Sequence, residues 1–294
     1  MYISGADPQA DVREGVTGVA QIDWGQNFAW GPNFGFVKVN GQGMSTLPYH
    51  PRHVKQSVFL LAQPFRDRVL VLGLGGANIV EALVEDPQVE HIDVVDWSYE
   101  LPALLSEGRA AEALHFALSS PKVRLFKADA RVAVSLFEKG SFDLVFDNLG
   151  FPNWIGASSI NSATYFKKIR ELLKPEGVFV RAANYSAQNR LAVLAGLVDT
   201  FNHVEEHAAG EVVISSRSRP NYSDQRILEV MEINAPRFVV RHLPYLNWFK
   251  GGFASISKKD VLGTAPVSDD LLIYEYFWHP TTAFKKKLSE YMTR

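Results

Sequence analysis

The chain has 294 residues, 47% of them hydrophobic, which is room for one large domain or a large domain with a small companion. Thirty basic against 32 acidic residues give a formal net charge of −2, so the sequence carries no electrostatic footprint for nucleic acid. The absence of cysteine excludes disulfides, thiolate metal sites and a cysteine nucleophile together, and no apolar run approaches the roughly 18 residues of a membrane span.

In chain order, Met1 to Asp7 lacks the basic and apolar regions of a signal peptide, so a cytoplasmic location is expected. Residues 1–60 are rich in glycine, aromatic and turn residues, with short β-branched or aromatic runs at 16–22 and 36–39. They read as a small antiparallel β domain in which Asn40-Gly41 marks a hairpin turn. Residues 61–294 read as a second, larger domain. Within it, strands are predicted at 69–73, 91–96, 123–127, 142–147, 177–181 and 212–215. Helices are predicted between them at 77–84, 101–117, 131–137, 163–173 and 187–199. This alternation is the signature of a parallel sheet covered on both faces. Leu173-Lys174-Pro175-Glu176-Gly177 reads as a helix stop leading into a strand. A polar linker at 217–221 opens a C-terminal extension with aromatics concentrated at 245–253 and 274–278.

The most informative stretch is Arg68 to Asn78 followed by His91 to Asp96. An apolar run breaks into a turn with Gly73, Gly75 and Gly76, where the backbone can approach a ligand without a Cβ in the way. Asp96, followed by Trp97, stands about 20 residues on, where βαβ units grip the two hydroxyls of a ribose. A nucleoside-containing cofactor is the leading idea. In nicotinamide-binding folds the turn usually ends on a third glycine, here replaced by Asn78. The third strand runs into Asp129-Ala130, suited to an adenine amino group, and the fourth ends on Asp147-Asn148, suited to a reacting centre. That layout favours S-adenosylmethionine over a dinucleotide.

On these residues the chain resembles class I S-adenosylmethionine-dependent transferases and, within them, spermidine synthases. The small N-terminal sheet, Leu47-Pro48-Tyr49-His50-Pro51, the glycine turn, Val94-Val95-Asp96, Asp129-Ala130 and Phe142 to Asp147 fall in the order of that family. Leu243-Pro244-Tyr245, Gly251 to Ser255 and Tyr274-Glu275-Tyr276-Phe277 are similar to its C-terminal pattern. The resemblance implies a Rossmann-like class I methyltransferase fold with a mostly parallel seven-stranded sheet behind a small β-sheet domain. It implies that Asp96 holds the ribose, Asp129 the adenine amine, that Asp147 lies beside the attacked carbon, and that Tyr49 and His50 face the acceptor. A homodimer is expected from the same source.

Two departures stand out. Aminopropyltransferases carry an aspartate in the glycine loop where this chain has Gly76, and a second shortly after the fourth strand, where it has Leu149-Gly150-Phe151. Losing both removes charge that a dicationic polyamine needs and admits a cofactor that keeps its carboxylate. The expected chemistry is nucleophilic displacement at a sulfonium carbon, by methyl or 3-amino-3-carboxypropyl transfer to a small molecule. Alternatives are closure of the cofactor's own amine to azetidine-2-carboxylate with release of 5′-methylthioadenosine, polyamine aminopropyl transfer, and a non-catalytic binding subunit on the same fold. A base helps only if the nucleophile arrives protonated, and Asp147 is the expected one.

Trp24, Trp30, Tyr49, Trp154, Tyr185 and Trp248 lie in turn-rich segments and are candidates to face a sulfonium, although for any one of them packing is the commoner use. His50 and His53, three apart, invite a metal reading, but no third ligand has a recognisable spacing and no metal is expected.

Overall fold

This computed structural model describes residues 10–25, 34–149, 157–183, 189–207, 212–218, 227, 229–230 and 252–268. A four-stranded antiparallel sheet comes first: β1 (Ala10–Gly15), β2 (Gly18–Trp24), β3 (Gly35–Val39) and β4 (Gln42–Leu47), paired in that order. Asn40 and Gly41 close the β3–β4 hairpin, both at positive φ (51° and 79°), as the predicted turn requires. Helix α1 (Pro51–Leu61) then leads to the second sheet; His50 caps it, its Nδ1 accepting the Arg52 N–H at 3.2 Å, and Pro51 fills the position that needs no amide hydrogen.

The second sheet alternates with helices: β5 (Arg68–Leu72), α2 (Asn78–Glu85), β6 (His91–Asp96), α3 (Glu100–Leu105), α4 (Gly108–Ala113), β7 (Val123–Lys127), α5 (Ala130–Ala133), β8 (Phe142–Asp147), α6 (Ala163–Leu172), β9 (Leu173–Ala182), α7 (Arg190–Thr200), β10 (His203–His207), β11 (Val212–Ser216) and β12 (Phe253–Ser255). The spatial order is β12-β10-β11-β9-β8-β5-β6-β7. Strands β7, β6, β5, β8 and β9 are parallel, and β11 and β12 run the other way. Among the described residues the sheet thus has eight strands where seven were expected; the addition is β12, three residues on the edge.

Residue alternation explains why the central strands read as continuous apolar runs. Val69, Val71, Val94, Leu144 and Phe146 enter a core shared with α1, α2 and the first sheet. Their neighbours Leu70, Leu72, Val95 and Val145 enter a core shared with α6 and α7 on the other face. Each such side chain contributes about 1.5–3 kcal/mol by leaving water, so neither face tolerates a one-residue slip of register.

Three predicted elements differ. The helix expected over 101–117 is α3, α4 and a short 3-10 turn, because Gly108, His115 and Phe116 take positive φ values (50°, 47° and 57°) and break the helix. The helix expected over 131–137 is the short α5, Ala130–Ala133. The helix stop leading into a strand is there but earlier than expected: α6 ends at Leu172 and β9 begins at Leu173, not at 177, with a register shift opposite Phe142 and Leu144. The aromatic-rich stretch 274–278 and most of 245–253, with Leu243-Pro244-Tyr245, lie outside the described residues, as do Trp30, Trp154, Tyr185 and Trp248. Among the described residues no helix is long and apolar enough to cross a membrane.

Candidate active site

Strand order reverses at β5, with β6 and β7 on one side and β8 and β9 on the other. Open α/β sheets bind ligands at the carboxyl ends of the strands beside such a reversal. Here those ends supply Gly73 and Gly75, Asp96 to Ser98, and Asn148 with Leu149, which line a cavity of about 270 Å³. Its roof is the first sheet and the start of α1, through Phe36, Met44, Ser45, His50, Arg52 and His53.

The roof is anchored to the segment after β6. Thr17 N–H donates to Glu100 Oε1 at 3.1 Å and Thr17 Oγ1 accepts the Tyr99 N–H at 3.0 Å. Arg109 stacks over the Trp24 ring at 4.2 Å, and Trp24 Nε1 donates to Asp11 at 2.7 Å. Trp24 is thus a packing residue and does not line the cavity.

Asp96 is 9% exposed and opens on the cavity. Its Oδ2 accepts the Leu74 N–H and its Oδ1 the Ser98 N–H, each at 2.8 Å. Those two bonds fix the carboxylate and leave each oxygen a further lone pair for a ligand hydroxyl. Burial pushes its carboxyl pKa up, and the bonds from Ser98 and Leu74 oppose the rise. Trp97, 38% exposed, lines the same wall.

The turn before α2 requires glycine at two positions. Gly73 and Gly75 have φ of 86° and 55°; a Cβ would meet Leu149 Cδ2 at 2.9 Å in the first case and Asn148 Nδ2 at 3.2 Å in the second. Gly76 has no such φ, but a Cβ there would lie 2.6 Å from Ser45 Oγ. The first sheet comes down onto position 76 and fills the space a side chain would need.

Asn78 begins α2 and joins the turn to the roof. Its Nδ2 donates to the Pro48 carbonyl at 2.9 Å, while Oδ1 accepts from Ser45 Oγ at 3.0 Å and lies 2.9 Å from His53 Nδ1. His53, 4% exposed, has its pKa lowered to about 3, chiefly by burial and then by His50, against the Asn78 hydrogen bond, with Arg52 adding to the lowering. It is neutral at any physiological pH.

The other predicted site residues are placed differently. Asp147 is wholly buried and off the cavity lining: Oδ1 accepts the Leu149 N–H at 2.8 Å and Oδ2 faces Arg181 Nη1 at 3.7 Å. Burial pushes its pKa up to about 6, against the opposing pull of Arg181 and the Leu149 amide. Asp129 caps α5 through the Arg131 N–H and pairs with the Arg131 guanidinium, off the cavity lining, with Ala130 behind it. Tyr49 packs edge-on against Phe34, ring centroids 5.2 Å apart, and its carbonyl accepts Thr46 Oγ1 at 2.6 Å. Of the predicted residues, His50, Gly73, Gly75, Asp96, Trp97 and Asn148 meet at the cavity. Ser45, Arg52, His53 and Ser98 also line it and were not singled out as binding residues; the spacing of His53 from His50 was the one signal. A separate group, Glu81, Glu85 and His115, brings possible metal-ligand atoms within 4.8 Å of one another away from this lining.

No model of a known protein family matches the sequence. Over 81 residues the chain is 36% identical to polyamine aminopropyltransferases 2 and 1 of Ralstonia nicotianae; the match covers 26% of this chain and 16% and 15% of those proteins, a small part of their length. Among solved structures, a spermidine synthase in complex with the transition-state analogue AdoDATO matches with a TM-score of 0.60 at 12% identity, over 90% of this chain and 87% of that one. Spermidine synthase from Thermotoga maritima matches at 0.59 and 12%, over 90% and 86%. The chain therefore shares the fold of these spermidine synthases, a Rossmann-like, mostly parallel sheet preceded by a small antiparallel one.

Proposed function

We propose that the cavity binds S-adenosylmethionine and that the protein transfers a group from it to a small molecule. The observation that carries this reading is Asp96, a buried carboxylate fixed by two backbone amides on the wall of a cavity floored by two obligatory glycines. That arrangement suits a ribose gripped through its hydroxyls with the rest of a nucleoside laid against bare backbone. Bound there, the sulfonium supplies an electrophilic carbon and a thioether leaving group. The chain's own part is to hold the cofactor, exclude water beneath the roof and align the acceptor, an effect worth about 7–11 kcal/mol in favourable cases.

Charge favours a cofactor that retains its carboxylate. Among the described lining residues the formal charges are one carboxylate, Asp96, and one guanidinium, Arg52, beside the two histidines. Among these described residues a polyamine with two or more positive charges finds little to pair with. Ser45 also occupies the space where a glycine-loop aspartate would stand. Aminopropyl transfer is the second reading, favoured by the 81-residue likeness to polyamine aminopropyltransferases.

Mass spectrometry of the protein incubated with S-adenosylmethionine, and separately with decarboxylated cofactor and diamines, tests the proposal. S-adenosylhomocysteine formed with an acceptor marks methyl transfer; 5′-methylthioadenosine from the full cofactor marks displacement at the longer arm. Turnover confined to the decarboxylated cofactor would establish the second reading. Failure to bind or turn over either cofactor would reject both.

A further inference from the structure

His53 is buried in the roof, and one of its two ring nitrogens is committed. The Pro48 carbonyl can only accept, so the Asn78 amide that donates to it must turn its oxygen toward His53. That oxygen can only accept as well. His53 Nδ1 therefore carries the hydrogen, and in a neutral ring Nε2 is left as a bare acceptor. Among the described residues Nε2 makes no hydrogen bond, while the side chain lines the cavity and its Cε1 stands next to Gly75, 3.8 Å from where a Cβ would be. Arg52, the preceding residue of α1, lines the same cavity.

Strand order gives the direction of a bound cofactor. With its ribose at Asp96, on β6, one end lies toward β7 and the other toward β5 and β8, where Gly75, Asn148, Arg52 and His53 gather. A neutral acceptor beside a guanidinium matches an ammonium beside a carboxylate, the two ends of an α-amino acid. Resting on the cofactor reading above, we propose that His53, locked by Asn78 with its hydrogen on Nδ1, accepts a hydrogen bond at Nε2 from the ammonium of the cofactor's amino-acid arm, whose carboxylate pairs with Arg52.

The depressed basicity of the buried ring fits this role and not that of a proton acceptor in turnover. An aspartate in the same place would hold the ammonium more strongly but would also repel the carboxylate next to it. A neutral imidazole selects for the full zwitterion.

Two measurements test the proposal. Calorimetry compares S-adenosylhomocysteine, which carries the amino-acid arm, with 5′-methylthioadenosine, which lacks it. His53→Phe is expected to weaken the first about tenfold or more and leave the second unchanged. On the unaltered protein, nitrogen-15 spectra of labelled histidine should show His53 neutral with hydrogen on Nδ1 from pH 5 to 8, and its Nε2 resonance should move when S-adenosylhomocysteine is added. Equal affinities in His53→Phe and wild type, a hydrogen on Nε2, or an unmoved resonance in a protein that binds the nucleoside would overturn the proposal and leave the cofactor reading intact. No binding of either nucleoside to wild type would instead reject the cofactor reading, and this assignment with it.

Discussion

Asp147 Oδ2 lies 3.7 Å from Arg181 Nη1, and both side chains are wholly buried. The guanidinium is shared: Nη2 donates to Asn161 Oδ1 and Nη1 to the Ile160 carbonyl, so the carboxylate receives only part of its charge. Desolvation wins, and the carboxyl pKa rises from 3.8 to about 6.

An acid whose folded pKa exceeds its unfolded one stabilises the fold below the unfolded value, and the contribution is lost as pH rises through the folded one. Between pH 4 and pH 7 this group should cost the fold about 3 kcal/mol. Asp147→Asn keeps the shape without the charge. We expect the variant to match wild type near pH 4 and to exceed it in stability at pH 7, by up to about 3 kcal/mol. Urea unfolding at both pH values checks this; a stability difference that does not change with pH would show that Asp147 is not the titrating group.

Asp96 behaves differently because it opens on the cavity. Asp96→Asn turns an amide NH₂ toward either Leu74 or Ser98, setting donor against donor. The expected cost is about 1–3 kcal/mol in stability and roughly 10–100-fold in affinity for S-adenosylhomocysteine. In wild type, nucleoside affinity should fall as pH falls through the raised pKa of this carboxyl, and so at a higher pH than for an ordinary aspartate. Calorimetry over a series of falling pH reads both effects. An Asp96→Asn variant that binds like wild type would remove Asp96 from the ribose.

The parts of this molecule legible in its sequence are those where one local rule operates. Strands β6 and β8 have the predicted bounds because apolar cover on both faces leaves an unbroken run between turns; β7, a half-exposed strand at the sheet edge, has them as well. Strand β1 was missed because its face is largely exposed and carries Asp11, Arg13 and Glu14; β4, with Gln42, Gly43, Ser45 and Thr46, shows no apolar alternation. The placement of Asp96, Gly73 and Gly75 at the strand ends that line the cavity was legible because backbone geometry and a fixed spacing constrain it. His53 was not: its role depends on burial and on Asn78, 25 residues away. Asp147 showed the right chemistry at the right strand end, but nothing local reveals that Arg181, 34 residues later, meets it inside the core. Arg131, two residues after Asp129, was a visible sign that this acid would be occupied.

Position 76 offers a direct test of the charge argument. In Gly76→Asp the new Cβ would press on Ser45 Oγ and Cβ, at 2.6 and 2.7 Å, and Ser45 must move along with its bonds to Asn78 and His53. We expect a loss of about 1–3 kcal/mol. Adding Ser45→Gly should restore part of it, and the double-mutant cycle measures the coupling. If the carboxylate is what selects decarboxylated cofactor, only the double variant should gain affinity for it. Thermal unfolding of the four proteins separates the steric term from the binding one; additive losses would show that Ser45 does not fill this space.

Gly75 and Gly41 share a backbone problem but not a neighbourhood. Both have positive φ, 55° and 79°, so alanine at either costs about 1–2 kcal/mol of backbone strain. At Gly41 nothing lies within 4 Å of the added Cβ, whereas at Gly75 it would meet Asn148 Nδ2 at 3.2 Å and His53 Cε1 at 3.8 Å. Gly41→Ala is therefore a control for strain alone. Gly75→Ala should lose at least as much stability in urea unfolding as Gly41→Ala, and only Gly75→Ala should lose affinity for S-adenosylhomocysteine, by about tenfold or more if the Cβ displaces the ligand from bare backbone. Equal affinity in the two variants would mean that the nucleoside does not run along this turn, and would move the cofactor away from Gly75 and from the roof above it.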